Sequence, residues 1–246
     1  MRHILLLFDI DGTLLSTSGA GVRAMRRVGA DLFGEHFTFD GMTFGGGLDP
    51  AIFAEAAKRN ELDDHHLHHD RFRDAYLAEL ERALAEGHAR PHPGILEVLE
   101  ALRPRCGDGK EFVLGLLTGN YSRAAPLKLA AAGIDPDWFT LTAFGDEGDT
   151  RPELVQVALR KYHQQTGLPA DPRRVVVIGD TPRDVDCAKA HGCVAFCVAT
   201  GSYSEVELRD AGADVVVPDL SDAGPLLELI DSLPGPHCAE GFSADS

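Results

Sequence analysis

Apolar positions along the chain follow two rhythms, and the change between them divides the sequence. Ile4–Phe8 is an unbroken apolar run that predicts a short strand buried on both faces, too brief to cross a membrane. Phe112–Leu117 repeats the pattern, residues 139–144 give a weaker version, and residues 175–178 are β-branched throughout. Val194–Val198 and Val215–Val217 supply two more strands. Helical spacing fills the intervals. Ile95, Val98, Leu99 and Leu102 mark a helix ending near Pro104, and another ends around Gly133, which Pro126 forces to start late or kink. Pro152 opens a third, with Val155, Leu159 and Tyr162 on one side. Strands alternating with helices imply a parallel sheet covered on both faces.

Between roughly residues 19 and 89 the rhythm is helical, with no convincing strand. Ala20–Phe33 forms one helix, Asp49-Pro50 reads as an N-cap followed by proline at the first helical position, and Ile52, Phe53, Ala56 and Ala57 give the next helix its apolar face. Phe72, Tyr76, Leu80 and Leu84 recur every four residues and predict a longer helix over roughly 70–86. The fold class is therefore α/β: a doubly wound parallel sheet with an inserted α-helical cap. Residues 1–15 and 91–233 make the core domain and 16–90 the cap, with a frayed tail over 234–246. Glycine and proline punctuation places hinges near 16–21 and 89–94.

Composition narrows the class. The 246 residues are 44% hydrophobic and 25% charged, values of an ordinary soluble globular chain. A net charge of −16 argues against nonspecific nucleic-acid binding, so an anionic substrate must be held by local positive features. Cys106, Cys187, Cys193, Cys197 and Cys238 are odd in number and lack a C-x-x-C pair, which suits a reducing cytoplasm. Asp9 and Asp11 interrupt the first apolar run, so it does not read as a signal peptide.

Chemistry concentrates where strands end. Asp9-Ile10-Asp11-Gly12-Thr13 closes the first strand, Thr118-Gly119-Asn120 the second, Arg151 precedes Pro152, and Gly179-Asp180-Thr181-Pro182-Arg183-Asp184 follows the fourth. In a parallel sheet these ends share one edge, where open α/β sheets bind ligands. Folding alone does not ask for two carboxylates at the mouth of a buried strand, and paired carboxylates invite a hard divalent cation such as magnesium. Four crowded carboxylates repel by roughly 4 kcal/mol per pair at 4 Å and an effective dielectric near 20. They call for a cation and for Arg151 as compensation.

In these four motifs the sequence resembles the haloacid dehalogenase-like hydrolase superfamily, in the phosphatase branch whose helical cap lies between the first and second motifs. The resemblance implies magnesium-dependent hydrolysis of a small phosphomonoester through an aspartyl-phosphate. Asp9 is then nucleophile and metal ligand. Asp11 protonates the leaving oxygen, activates water and lends its backbone carbonyl to the metal. Thr118, Gly119, Asn120 and Arg151 hold phosphoryl oxygens. Asp180 completes the metal contacts, with Asp184 beside it. The usual third-motif lysine is Arg151 here, which keeps the charge in a different shape, and no better lysine stands nearby in sequence, Lys161 lying well down the helix. A sugar-phosphate mutase keeps both aspartates and is the alternative within the family. A receiver-like signalling domain fits less well because of the length and the helical insertion.

The implied partner is a small phosphorylated metabolite, bound by a monomer or homodimer without nucleic acid or membrane. Residues 45–49 resemble a glycine-rich turn ending in Thr-Asp that phosphoglycolate phosphatase-like relatives often carry, with Leu48 where threonine is expected. Arg23, Arg26 and Arg27 read as a solvated helix face, and Cys193 and Cys197 as packed apolar residues. His65, His66, His68 and His69 lack the ligand spacing of a metal site.

Overall fold

The computed structural model describes residues 3–107 and 109–235. Most of the frayed tail expected from the sequence, from residue 236 onward and including Cys238, lies outside the described residues. The chain opens with β1 (Ile4–Phe8) and a two-residue strand, β2 (Leu15–Ser16). Three helices follow, α1 (Ala20–Phe33), α2 (Asp49–Arg59) and α3 (His65–Leu84), and β3 (Arg90–Pro91) returns to pair with β2 antiparallel. The sequence reading misses this ribbon, because two residues carry no period. It also starts α3 five residues late, since four histidines obscure the apolar face there.

Alternation then runs through α4 (Ile95–Leu102), β4 (Phe112–Leu117), α5 (Ala124–Ala131), β5 (Leu141–Ala143), α6 (Arg151–Thr166) and β6 (Val175–Gly179). It closes with α7 (Pro182–Lys189), β7 (Val194–Val198), α8 (Glu205–Asp210), β8 (Val215–Val217) and α9 (Gly224–Ser232). Pro126 sits in the first turn of α5, so that helix starts late and does not kink.

Among the described residues, six strands form one parallel sheet in the order β5-β4-β1-β6-β7-β8. From β1 the chain builds outward through β4 and β5, then returns to the other side of β1 with β6. That reversal puts a crevice at the carboxyl end of β1. Strand alternation sorts the core. Ile4, Leu6 and Phe8 pack with α4, α5 and α9 on one face, while Leu5 and Leu7 pack with α6, α7 and α8 on the other. Every side chain of β1 is buried, which holds its last residue firmly at the mouth of the crevice.

The three inserted helices have a cluster of their own, centred on Phe39, Phe53, Phe72 and Tyr76, with Phe53 and Phe72 stacked 4.2 Å apart. Tyr121 and Ala124, from beyond β4, complete it, so the inserted helices rest on α5. A loop stitches them to the sheet as well. Leu48 is buried among Leu5, Leu7 and Leu117, which accounts for an apolar residue at that position. Among the described residues no helix is long and apolar enough to cross a membrane.

Candidate active site

The backbone of Asp9 bonds to Ile178 O at 2.9 Å, extending the β1–β6 pairing by one residue and aiming its side chain into the crevice. The chain then turns sharply: Gly12 has φ +83°, and a Cβ there would stand 2.3 Å from Asp180 Oδ2. Only glycine allows both that conformation and that approach. Thr13 Oγ1 donates to Asp180 Oδ1 at 3.0 Å, and Thr200 Oγ1 donates to Gly12 O at 2.5 Å.

Asp9, Asp180 and Asp184 are all buried, and each offers a carboxylate oxygen within 4.8 Å of the others. Arg151, first residue of α6, spans two of them, with Nη2 at 3.1 Å from Asp9 Oδ2 and Nε at 3.0 Å from Asp184 Oδ1. Asp184 Oδ2 is engaged by Thr181 N and Oγ1 at 3.0 and 2.7 Å, at the start of α7. Burial, then the charges of Asp184 and Asp9, push Asp180 up to about 8. Burial likewise raises Asp9 to about 6, against the opposing pull of Arg151 and a hydrogen bond from Thr118. One guanidinium does not balance three buried carboxylates. The donor set is all hard oxygen and carries surplus negative charge, which fits a hard divalent cation.

The fourth aspartate does something else. Asp11 is half-exposed, and its carboxylate stands outside the group of three. Oδ2 accepts from Asn120 Nδ2 at 2.8 Å and from Lys128 Nζ at 2.6 Å. The sequence expectation that all four carboxylates crowd together through their side chains is corrected here. Asn120 Nδ2 also reaches Thr118 Oγ1 at 2.8 Å, so Thr118, Asn120, Asp9 and Asp11 form one connected network.

Two residues in the site escaped the sequence reading. Lys128 is buried in α5, donating to Asn120 Oδ1 at 2.5 Å as well as to Asp11, so a lysine does reach the site from outside the third motif. The expected irrelevance of Lys161 holds: it pairs with Glu147 at 2.7 Å. A signal for Lys128 existed, since it is the one charged residue in α5 and lies four positions after the buried Ala124. Asp49 is not the N-cap. Leu48 takes that position, and Asp49 Oδ2 accepts from Tyr121 N at 2.9 Å while its own N–H donates to Gly119 O at 2.7 Å. No sequence signal announces a carboxylate turned away from its own helix toward another loop.

The remaining readings divide. Arg23, Arg26 and Arg27 are exposed, Arg23 folding back to Ser18 O at 2.5 Å. Cys193 and Cys197 are buried, and burial pushes both thiols up to about 12. His69 Nε2 lies 3.1 Å from Tyr121 Oη, and His68 packs edge-on against Phe33; among the described residues the histidines form no metal-ligating group.

A family model for haloacid dehalogenase-like hydrolases matches residues 5–192. The chain is 27% identical to a phosphoglycolate phosphatase of Agrobacterium fabrum over 91% of each chain. It is also 27% identical to a phosphorylated carbohydrates phosphatase of Thermotoga maritima, over 86% of this chain and 93% of that one. Among solved structures, CbbY from Rhodobacter sphaeroides, crystallised with phosphate, superposes with a TM-score of 0.66 at 22% identity, covering 91% and 97% of the two chains. That last likeness is one of fold.

Proposed function

The chain belongs to the haloacid dehalogenase-like hydrolase family, and we propose that this phosphatase hydrolyses a small phosphomonoester with magnesium bound, through an aspartyl-phosphate on Asp9. One observation carries the reading: at the carboxyl end of the central strand, buried Asp9 faces Arg151 at 3.1 Å and shares a compact oxygen cluster with Asp180 and Asp184. Asp9, Asp180 and Asp184 hold the metal in this reading, with the Asp11 carbonyl as a further ligand. Bound there, the ion neutralises charge on the carboxylates and on the transferring phosphoryl group.

The chain's own residues do the rest. An Asp9 oxygen attacks phosphorus as the bond to the leaving oxygen breaks, and Asp11 gives that oxygen its proton. Water then attacks phosphorus, Asp11 takes its proton, and phosphate departs with Asp9 regenerated. Asn120 and Lys128 both bond Asp11 Oδ2, which fixes the carboxyl group and leaves Oδ1 for proton transfer. Thr118, the amides of Gly119 and Asn120, and Arg151 hold the phosphoryl oxygens as charge spreads over them. The inserted helices act as a mobile cap that excludes bulk water, hinged at the β2–β3 ribbon. The setting is a reducing cytoplasm, the protein acting as a monomer or homodimer on a small phosphorylated metabolite.

Phosphate release from a panel of small esters tests this, comparing wild type and Asp9→Asn with and without magnesium. The expected result is metal-dependent turnover that the substitution abolishes. Turnover surviving in Asp9→Asn would refute the covalent route, and isomerised sugar phosphate in place of free phosphate would mark a mutase.

A further inference from the structure

Beside the phosphoryl cradle, between the sheet edge and the inserted helices, lies a cavity of about 240 Å³. An ester held at Asp9 has its leaving group there. Val22, Met25, Phe44 and Ile52 give the inserted segment an apolar surface, and Tyr76 of α3 brings a hydroxyl into it. Tyr76 is fully buried, yet among the described residues its Oη has no hydrogen-bond partner. Burial, then the charges of Asp49 and Asp11, push the phenol well above its usual range, so it keeps its proton and stands as a donor. Buried hydroxyls are normally paired, and a lone one facing a cavity points to a ligand.

Two further residues border the same space. Of the three N–H groups of Lys128, Asp11 Oδ2 and Asn120 Oδ1 take two, and among the described residues the third has no acceptor. Gly21, in the first turn of α1, lies against both donors: a Cβ there would stand 3.4 Å from Tyr76 Oη and 3.4 Å from Lys128 Nζ. That is ordinary contact, so the fold does not require glycine at this helical position, where alanine is the better helix former. The glycine leaves open a spot that two unspent donors flank.

We propose that Tyr76 determines specificity: its hydroxyl donates a hydrogen bond to an oxygen of the leaving group seated over Gly21, with Lys128 Nζ beside it, so that the enzyme favours phosphate esters of alcohols carrying a second oxygen over those of plain alkyl alcohols. A methyl group in that spot leaves both donors buried and unanswered, which is how a polar pocket rejects an apolar isostere.

The inference rests on the phosphatase reading, and its test separates the two. Three esters on one three-carbon skeleton are compared in the presence of magnesium: n-propyl phosphate, sn-glycerol 3-phosphate and 3-phosphoglycerate, with p-nitrophenyl phosphate as a control. The last two of the three end in a hydroxyl and in a carboxylate, so their ranking tells which oxygen the site takes. The wild type is expected to favour at least one of them over n-propyl phosphate by about tenfold or more in kcat/KM. Tyr76→Phe is expected to cut that preference about fivefold or more, chiefly through KM, with the thermal midpoint unchanged or raised because no partner of the hydroxyl is lost. Gly21→Ala fills the open spot and is expected to cut the same preference, again without loss of thermal stability. A wild type that takes n-propyl phosphate as well as either oxygenated ester, or that cleaves only the control, overturns the inference. A Tyr76→Phe protein that keeps the preference while losing thermal stability shows the hydroxyl to be structural, which also overturns it; if that variant does not fold, Gly21→Ala decides. Failure to cleave p-nitrophenyl phosphate as well removes the phosphatase reading, and the inference with it.

Discussion

Lys128 shows how a single side chain can serve structure and candidate chemistry together. Its ammonium holds Asn120 Oδ1 and Asp11 Oδ2 at 2.5 and 2.6 Å, and burial alone is no bar because two carboxylates surround it. In Lys128→Met, Asn120 Oδ1 loses its donor and Asp11 is held by Asn120 alone. The expected cost is about 1–3 kcal/mol in denaturant unfolding, and the freed Asp11 lowers kcat by about 10²-fold. Gly12 is the other sensitive residue. Gly12→Ala meets both a left-handed backbone and a contact of 2.3 Å with Asp180 Oδ2. Displacing that carboxylate is expected to cut turnover by at least about 10²-fold, with circular dichroism unchanged. Both residues show what a sequence conceals. Asp9, Asp11, Arg151, Asp180 and Asp184 were legible because strand ends gather them in order. Lys128 and Asp49 reach the site from helical positions, where a charge ordinarily means solvent or a cap.

At the scale of elements, the ends of β1 and β6 set the stability of the protein against pH. Asp9 and Asp180 sit at about 6 and 8 in the metal-free fold, against an ordinary value of 3.8 when unfolded. The folded chain therefore binds more protons than the unfolded chain between those values, and its stability falls as pH rises through the window. Asp49, raised to about 7, adds to the slope. With a chelator present, the thermal midpoint is expected to drop by several degrees from pH 5.5 to pH 8. Magnesium should recover most of the loss at pH 8 and little at pH 5.5, as scanning calorimetry would show. The β2–β3 ribbon makes a separate prediction. It is held by two residue pairs and by His92 N to Leu14 O at 3.0 Å, a small number for the two strands that join the inserted helices to the sheet. Hydrogen exchange at Ser16, Arg90 and His92 should exceed that in β1 and slow when magnesium and a phosphate analogue are added. Identical exchange with and without them would mean the ribbon is not a hinge. The sheet was legible strand by strand because buried parallel strands are continuous apolar runs. The ribbon was not, since pairing so short is fixed by where the chain must cross.

The whole molecule carries 39 acidic and 23 basic side chains, a net −16, while acting in our reading on an anion. Repulsion reaches about 30 Å at 0.01 M salt and about 8 Å at 0.15 M. KM for a phosphomonoester is therefore expected to fall as sodium chloride rises over that range at fixed magnesium, with kcat nearly constant. A KM that rises instead would show that a local positive field dominates the approach.

The loop over Gly47, Leu48 and Asp49 carries one more implication, for descent. A Cβ on Gly119 would stand 1.8 Å from Gly47 O, Leu48 is sunk among residues of the sheet, and Asp49 bonds to both Gly119 and Tyr121. The insertion is thus keyed to the loop after β4, more than seventy positions away. Helices borrowed from a relative would fit this sheet only if that loop travelled with them. Two segments distant in sequence must accordingly be inherited, exchanged or redesigned as one unit.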